Sequence, residues 1–189
     1  MIQLAILASG NGTNAQRISE YFTGNNQINV SCIIYNRPDA FVAQRAKQLN
    51  IPAQYFNRDD FYHNGRVLQY LKERNIDWVI LAGFLWLVPQ EILDAFPNRI
   101  INIHPALLPK YGGKGMYGEH VHQAVIANHE KESGITIHLV DQHYDRGTTL
   151  FQAKCTLDDH DTPDTLAAKI HQLEQQYFPL IIEQAVLKH

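Results

Sequence analysis

The chain has 189 residues, of which 45% are hydrophobic and 19% are charged, and its formal net charge is −3 at pH 7. This composition excludes a disordered chain, and the weak negative charge gives no electrostatic basis for binding nucleic acid. No apolar run approaches the roughly 20 residues of a membrane helix, and no signal-peptide pattern opens the sequence. We therefore expect a cytoplasmic protein without a membrane partner, with one domain over residues 1–189.

The first half of the sequence alternates short apolar runs with segments of helical spacing. The pattern predicts strands over residues 2–8, 28–35, 53–56, 78–82 and 100–103, and helices over about 14–22, 40–49 and 59–74. Strands that alternate with helices favour a parallel sheet that is covered by helices on both faces. The first half therefore predicts an open, mostly parallel α/β sheet.

The second half changes character at residue 104. Prolines and glycines dominate residues 104–118, and a loop of that length in a compact domain is typically functional. A helix is expected over about 119–128, followed by strands over 134–140 and 149–155 that pair in antiparallel fashion across the turn Asp145-Arg146-Gly147. Thr162 is a plausible N-cap for a final helix, with Pro163 in its first turn.

The turn Ser9-Gly10-Asn11-Gly12-Thr13-Asn14 joins the first strand to the first helix. Glycines let a backbone approach a ligand closely, and a helix N-terminus offers free amides to a phosphate. The turn also fits the Gly-x-Gly-x-x-Ala pattern of dinucleotide sites. Such sites typically have an acidic residue after the second strand, whereas this sequence has Asn36-Arg37-Pro38 at that position. A monophosphate site is favoured over a dinucleotide site or a plain tight turn.

Asn102 and His104 alternate at the end of a predicted strand, just before Pro105 and the glycine-rich loop. Alternation directs both side chains to one face of the sheet, and ligands of open α/β sheets bind at the carboxyl ends of the strands. An amide can hold a developing oxyanion, a histidine can move protons, and a carboxylate such as Asp145 can fix the protonation state of the histidine. This combination favours transfer of an acyl-type group to an amine.

The histidines and one long apolar run bear on metal and ligand binding. The chain has ten histidines, but none stands in a spacing typical of zinc ligands, so we expect no metal. The apolar run from Leu81 to Val88 is longer than its strand, and an apolar loop with an aromatic side chain can line a pocket for a flat heterocycle.

Nearly the whole sequence resembles the phosphoribosylglycinamide formyltransferase family. The resemblance rests on the turn at residues 9–14, on Leu81-Ala82-Gly83-Phe84, on the segment from Asn102 to Pro109, and on residues 134–147 with Asp145. It implies a Rossmann-like formyltransferase fold. It also implies that a formyl group passes from 10-formyltetrahydrofolate to the amine of glycinamide ribonucleotide, in purine biosynthesis.

The resemblance also implies roles for single residues. The implied catalytic residues are Asn102, His104 and Asp145; the implied substrate-binding residues are Gly12, Thr13, Asn14, His171 and Glu174; and the implied folate-binding residues are Leu85, Trp86, Leu87, Val140 and Asp141. Trp86 and His171 replace an arginine and a glutamine found in other members. The implied partners are these two small molecules only, and the chain is expected to be a monomer or a homodimer.

In the expected mechanism, Asn102 and protonated His104 stabilise the oxyanion, and Asp145 raises the pKa of His104 above its ordinary value of about 6.5. Three alternative functions are less consistent with the sequence. A methionyl-tRNA formyltransferase would need a further RNA-binding domain and a basic surface. A formyltetrahydrofolate hydrolase would need a regulatory domain that precedes this one. A nucleotide-binding module without catalysis would have no need of the three catalytic side chains.

Overall fold

The structure is a computed structural model that describes residues 1–188; the one-domain prediction extends to His189, which lies outside the described residues. The strands are β1 (Ile2–Ala8), β2 (Ile28–Tyr35), β3 (Ala53–Tyr55), β4 (Trp78–Leu81), β5 (Ile100–His104), β6 (Glu132–Leu139) and β7 (Thr149–Thr156). The helices are α1 (Thr13–Tyr21), α2 (Val42–Gln48), α3 (Arg58–Tyr62), α4 (Arg66–Glu73), α5 (Gln90–Ala95), α6 (Glu119–Ala127) and α7 (Pro163–Leu187).

All seven strands form one sheet in the order β3-β2-β1-β4-β5-β6-β7. The pairs from β3 to β5 are parallel, whereas β6 and β7 are added in antiparallel orientation. The strand order reverses between β1 and β4, and open α/β sheets bind their ligands at such a point, beyond the carboxyl ends of the strands. The predicted α/β fold with antiparallel strands in its C-terminal half is confirmed.

Alternation along the buried strands sends successive side chains to two separate cores. In β1, Leu4 and Ile6 pack on the face that is covered by α1, α2, α6 and α7, whereas Ala5 and Leu7 pack on the face that is covered by α3, α4 and α5. Because both faces of the sheet are covered, the central strands are almost entirely apolar. The polar residues at the carboxyl ends of these strands are therefore exceptions to the apolar pattern.

The predicted elements differ from the structure mainly in three details, whereas the loop before α6 and the N-cap of α7 agree with it. The helix predicted over 59–74 is two helices, α3 and α4, because the chain takes a left-handed conformation at Gly65 (φ 63°). Helix α5 lies in a stretch for which no element is predicted, and β6 begins two residues early, at Glu132. The loop before α6 has no helix or strand, as predicted. The predicted N-cap of α7 is confirmed, since Thr162 Oγ1 accepts the Thr165 N–H at 3.2 Å.

Candidate active site

One cleft of about 1160 Å³ lies at the carboxyl ends of β1, β4 and β5. It is lined by twelve of the thirteen side chains predicted for the site: Gly12, Thr13, Asn14, Leu85, Trp86, Leu87, Asn102, His104, Val140, Asp145, His171 and Glu174. Residues from nearly the whole length of the chain meet here because parallel strands end at the same edge of the sheet.

Asn102 is held by a histidine on the neighbouring antiparallel strand. Its Cα pairs with that of His138, and the Asn102 Nδ2 lies 3.2 Å from the His138 Nε2. The His138 Nδ1 lies 2.9 Å from the Leu139 carbonyl, which can only accept a hydrogen bond. His138 Nδ1 therefore carries a proton, and in the neutral ring Nε2 accepts from Asn102. One N–H of the Asn102 amide is fixed in this way, and its second N–H stays available to a ligand.

His104 lies between a backbone carbonyl and a carboxylate. Its side chain is 4% exposed, its Nε2–H donates to the Tyr111 carbonyl at 2.7 Å, and its Nδ1 lies 3.6 Å from the Asp145 Oδ1. The same Asp145 oxygen lies 3.7 Å from the His138 Nε2. Because Nε2 already holds a proton, a proton gained by His104 goes to Nδ1, on the side of the carboxylate.

The expected increase in the pKa of His104 is wrong. Burial lowers this pKa below 6.5 because the charged imidazolium is desolvated, and neighbouring His138 lowers it further; the charge of Asp145 and the bond to Tyr111 only partly oppose these effects. His104 is therefore neutral near pH 7 in the unliganded protein.

Asp145 stays ionised although it is partly buried. Burial alone would raise its pKa, but contacts with His138 and His104 and the Gly113 N–H, which donates to Oδ2 at 2.9 Å, hold the pKa below 3.8. The backbone of Asp145 is left-handed (φ 54°), a conformation that aspartate and asparagine tolerate better than most residues. The loop before α6 and the loop after β6 thus meet at this carboxylate.

The turn at residues 10–14 has the geometry expected for an anion site. Gly12 adopts φ 77° at the N-cap of α1, and no side chain caps the helix. Free amides at the start of α1 therefore face the cleft, together with the Thr13 hydroxyl group. Arg45 fixes the back of the turn, because its Nε donates to the Asn11 carbonyl at 2.7 Å.

Helix α7 supports the other side of this turn. Asn14 Nδ2 donates to the Glu174 Oε2 at 3.0 Å, and the Gln175 Nε2 donates to the Asn14 Oδ1 at 3.0 Å. His171 Nδ1 lies 3.7 Å from the same Glu174 oxygen, and this contact raises the pKa of His171. Asn14 of α1 is therefore hydrogen-bonded to Glu174 of α7, which also contacts His171.

An apolar segment, residues 84–88, forms the opposite wall of the cleft. Buried Ser9 anchors it, since the Leu85 N–H donates to Ser9 Oγ at 2.9 Å. Trp86 packs against Phe61 with ring centroids 5.5 Å apart, and the Arg58 guanidinium lies 5.8 Å from the Trp86 ring. The Leu85 side chain, 42% exposed, remains free to cover a flat apolar ligand.

Asp141 is the predicted site residue that does not line the cleft. Its Oδ1 accepts the His143 N–H at 2.7 Å, so its side chain closes a turn of its own loop. His143 and Tyr144 line this part of the cleft instead.

Among residues 1–188, no group of three or more potential ligand side chains is arranged to hold a metal ion. Within the same range, no helix is long and apolar enough to cross a membrane.

The lining residues that were not predicted include three with ionisable side chains: Lys114, His122 and His138. Lys114 supplies the one lysine or arginine side chain of the lining among the described residues. His138 could have been found from its alternation with Thr136, but only if β6 were already known to pair with β5. His122 stands on the buried side of an amphipathic helix, where sequence alone suggests packing.

Comparisons with known proteins identify relatives of this chain. A profile of the formyl transferase family matches residues 2–182. The chain is 37% identical over 186 residues to the chloroplastic phosphoribosylglycinamide formyltransferase of Arabidopsis thaliana, covering 95% of this chain and 64% of that protein. It is 34% identical to the phosphoribosylglycinamide formyltransferase of Haemophilus influenzae, covering 97% of this chain and 86% of that protein.

The fold is shared with solved structures as well. The crystal structure of phosphoribosylglycinamide formyltransferase from Bacillus halodurans superposes with a TM-score of 0.86 at 35% identity, covering 96% of this chain and 94% of the other. The chain spans somewhat less than two thirds of the length of the two plant relatives, 64% and 60%. Sequence and fold agree, and the chain belongs to the formyl transferase family.

Proposed function

We propose that this chain transfers a formyl group from 10-formyltetrahydrofolate to the amine of glycinamide ribonucleotide, a step of purine biosynthesis. One observation carries the proposal: Asn102, His104 and Asp145 lie in a single cleft, between a turn suited to phosphate and an apolar wall suited to a pterin ring. The names of the relatives in Arabidopsis and Haemophilus support the same reaction.

In the proposed complex, each substrate occupies one side of the cleft. The phosphate binds to the amides of Thr13 and Asn14, and the ribose lies near Glu174 and His171. The folate lies along Leu85, Trp86 and Leu87, and Val140 completes this wall. The amine and the formyl carbon then meet beside Asn102 and His104, so that binding itself supplies proximity and orientation.

The chemistry follows from the contacts of the three polar side chains. The amine attacks the formyl carbon, and negative charge develops on the formyl oxygen. The free N–H of the Asn102 amide donates to this oxygen, while His138 keeps the amide in place. Bond formation between the amine and the formyl carbon is followed by cleavage of the bond from that carbon to the folate nitrogen.

The proton balance involves His104 and Asp145. The amine loses one proton overall, and the departing folate nitrogen gains one. Neutral His104 can accept the proton at Nδ1, where Asp145 stabilises the resulting charge from 3.6 Å, and can then return it to the leaving group. A histidine with a lowered pKa suits this function because it is free to accept a proton at neutral pH.

An assay of the purified protein with both substrates tests the proposal. We expect His104→Ala and Asn102→Ala each to lower kcat by about 10²–10³-fold, because both groups act on charge that develops in the transition state. His160→Ala is the control, since His160 is exposed and lies outside the cleft lining. Absence of formyl transfer by the wild-type protein would refute the function, and near-normal kcat in His104→Ala would refute the mechanism. Release of formate without ribonucleotide would indicate a hydrolase instead.

A further inference from the structure

His122, on the second turn of α6, is a buried side chain without a hydrogen bond. It is 7% exposed, and its Nδ1 is fully buried without a partner. No hydrogen bond or ion pair joins either ring nitrogen to another residue in the part of the chain that the structure describes. A buried polar atom without a partner typically costs about 1–3 kcal/mol, so this arrangement needs an explanation.

His122 lies in the cleft that the proposed ribonucleotide would occupy. Its ring lines this cleft and interacts electrostatically with both Glu174 and His104. Glu174 accepts a hydrogen bond from Asn14, next to the phosphate turn. A molecule that extends from this turn to Asn102 and His104 therefore fills part of the cleft that His122 lines.

The charge state of His122 limits what it can bind. Burial lowers its pKa below 6.5, and the proximity of His104 lowers it further, against the opposing charges of Glu174 and Glu119. A neutral imidazole carries one donor and one acceptor. It therefore suits an uncharged group that can both donate and accept, and it suits a phosphate poorly.

We propose that His122 is a substrate-binding residue that hydrogen-bonds an uncharged polar group of the ribonucleotide, either a ribose hydroxyl or the carboxamide. This inference rests on the proposed function, because it assumes that the ribonucleotide occupies the cleft. The substrate then hydrogen-bonds the His122 Nε2, which has no partner among the described residues and, unlike Nδ1, is not fully buried.

The test compares His122→Phe, which keeps a ring but removes both nitrogens, with His122→Gln, which restores a polar group. For His122→Phe we expect the KM for the ribonucleotide to rise about five- to fiftyfold, with kcat and the KM for the folate nearly unchanged. We expect His122→Gln to recover part of the loss. The midpoint of thermal unfolding should stay equal or rise in His122→Phe, because no hydrogen bond within the protein is lost.

His120→Phe is the matched control, since His120 lies on the same helix but is exposed and outside the cleft lining. Competitive inhibition by ribose 5-phosphate identifies the bound group. If His122→Phe weakens this inhibitor as much as the ribonucleotide, the partner is a hydroxyl; if the inhibitor is unaffected, the partner is the carboxamide.

Failure of the proposed function and failure of the proposed role of His122 give different results. A wild-type protein without formyl transfer refutes the proposed function, whereas calorimetry of ribonucleotide binding still tests His122 directly. An unchanged ribonucleotide KM or Kd in His122→Phe refutes the role of His122. A lower unfolding midpoint together with equal losses for both substrates also refutes it, because His122 would then be a packing residue.

Discussion

At the scale of single residues, Asp145 is the group on which the site depends most. Its carboxylate faces His104 and His138 and accepts the Gly113 N–H. The Gly113 N–H favours the ionised form, as does positive charge on His104 or His138, and together these contacts outweigh the cost of burial. One carboxylate therefore contacts both histidines of the cleft and the glycine-rich loop.

We predict that Asp145→Asn lowers the pKa of His104 further and reduces kcat by about 10²–10⁴-fold, with substrate binding largely kept. The change removes the charge that raises this pKa, and asparagine tolerates the left-handed backbone at this position. NMR titration of His104 in both proteins measures the shift. Asp141→Asn is the control, because Asp141 lies outside the cleft lining. An unchanged His104 pKa with unchanged activity would make Asp145 a loop residue only.

At the scale of elements, the turn between β1 and α1 is shaped by its packing against α2. A Cβ on Gly12 would lie 2.3 Å from the Val42 Cγ2 and 2.9 Å from the Val42 Cα, whereas a Cβ on Gly10 would have no atom within 4 Å. Gly12 also has a positive φ. Gly12 is therefore required for the fold as well as for the proposed approach of a phosphate.

We predict that Gly12→Ala lowers the free energy of unfolding by about 1–3 kcal/mol, because of the overlap with Val42 and the backbone strain. Gly10→Ala is the matched variant and should stay within about 0.5 kcal/mol of the wild type. Chemical denaturation measures both values. Equal stability of the two variants would mean that α2 moves away at little cost. Thr13→Val, which removes the hydroxyl group without a new overlap at Gly12, is the cleaner probe of phosphate binding.

The helices and strands also show which parts of the structure can be predicted from the sequence. The strand ends, the glycine turn before α1 and the N-cap of α7 were predictable because each depends on residues close in sequence. The break at Gly65 and the six-residue helix α5 were missed because both segments are too short for a clear periodic pattern. The hydrogen bond between Asn102 and His138 depends on the register of β5 and β6. The pKa of His104 depends on burial by segments that are distant in sequence. Local sequence patterns contain neither kind of information.

At the scale of the whole molecule, buried histidines couple stability to pH. The pKa values of His104 and His122 lie below 6.5 in the folded protein, so the unfolded chain binds more protons as the pH falls through about 6.5. Asp145, whose pKa is lowered, adds stability that is lost only at more acidic pH. His171 has the opposite sign because its pKa is raised, but its side chain is 47% exposed and its effect is weakened by solvent.

We predict that the midpoint of thermal unfolding falls between pH 7.5 and pH 5.5, and that it falls less in His122→Phe. Each buried neutral histidine contributes at most about 1.4 kcal/mol per pH unit below its unfolded pKa. Scanning calorimetry across this range measures the difference, with His120→Phe as the control. Identical pH dependence in the wild type and His122→Phe would show that His122 is protonated equally in the folded and unfolded states.

The hydrogen bond between Asn14 and Glu174 joins residues 160 positions apart in the chain. During synthesis on a ribosome, the turn between β1 and α1 emerges long before α7, which supports it. A nascent chain that already contains β1 to β7 still lacks Glu174, His171 and the side of the cleft that they form. The proposed ribonucleotide site is therefore incomplete until α7 docks, and a nascent chain without α7 should not bind the ribonucleotide.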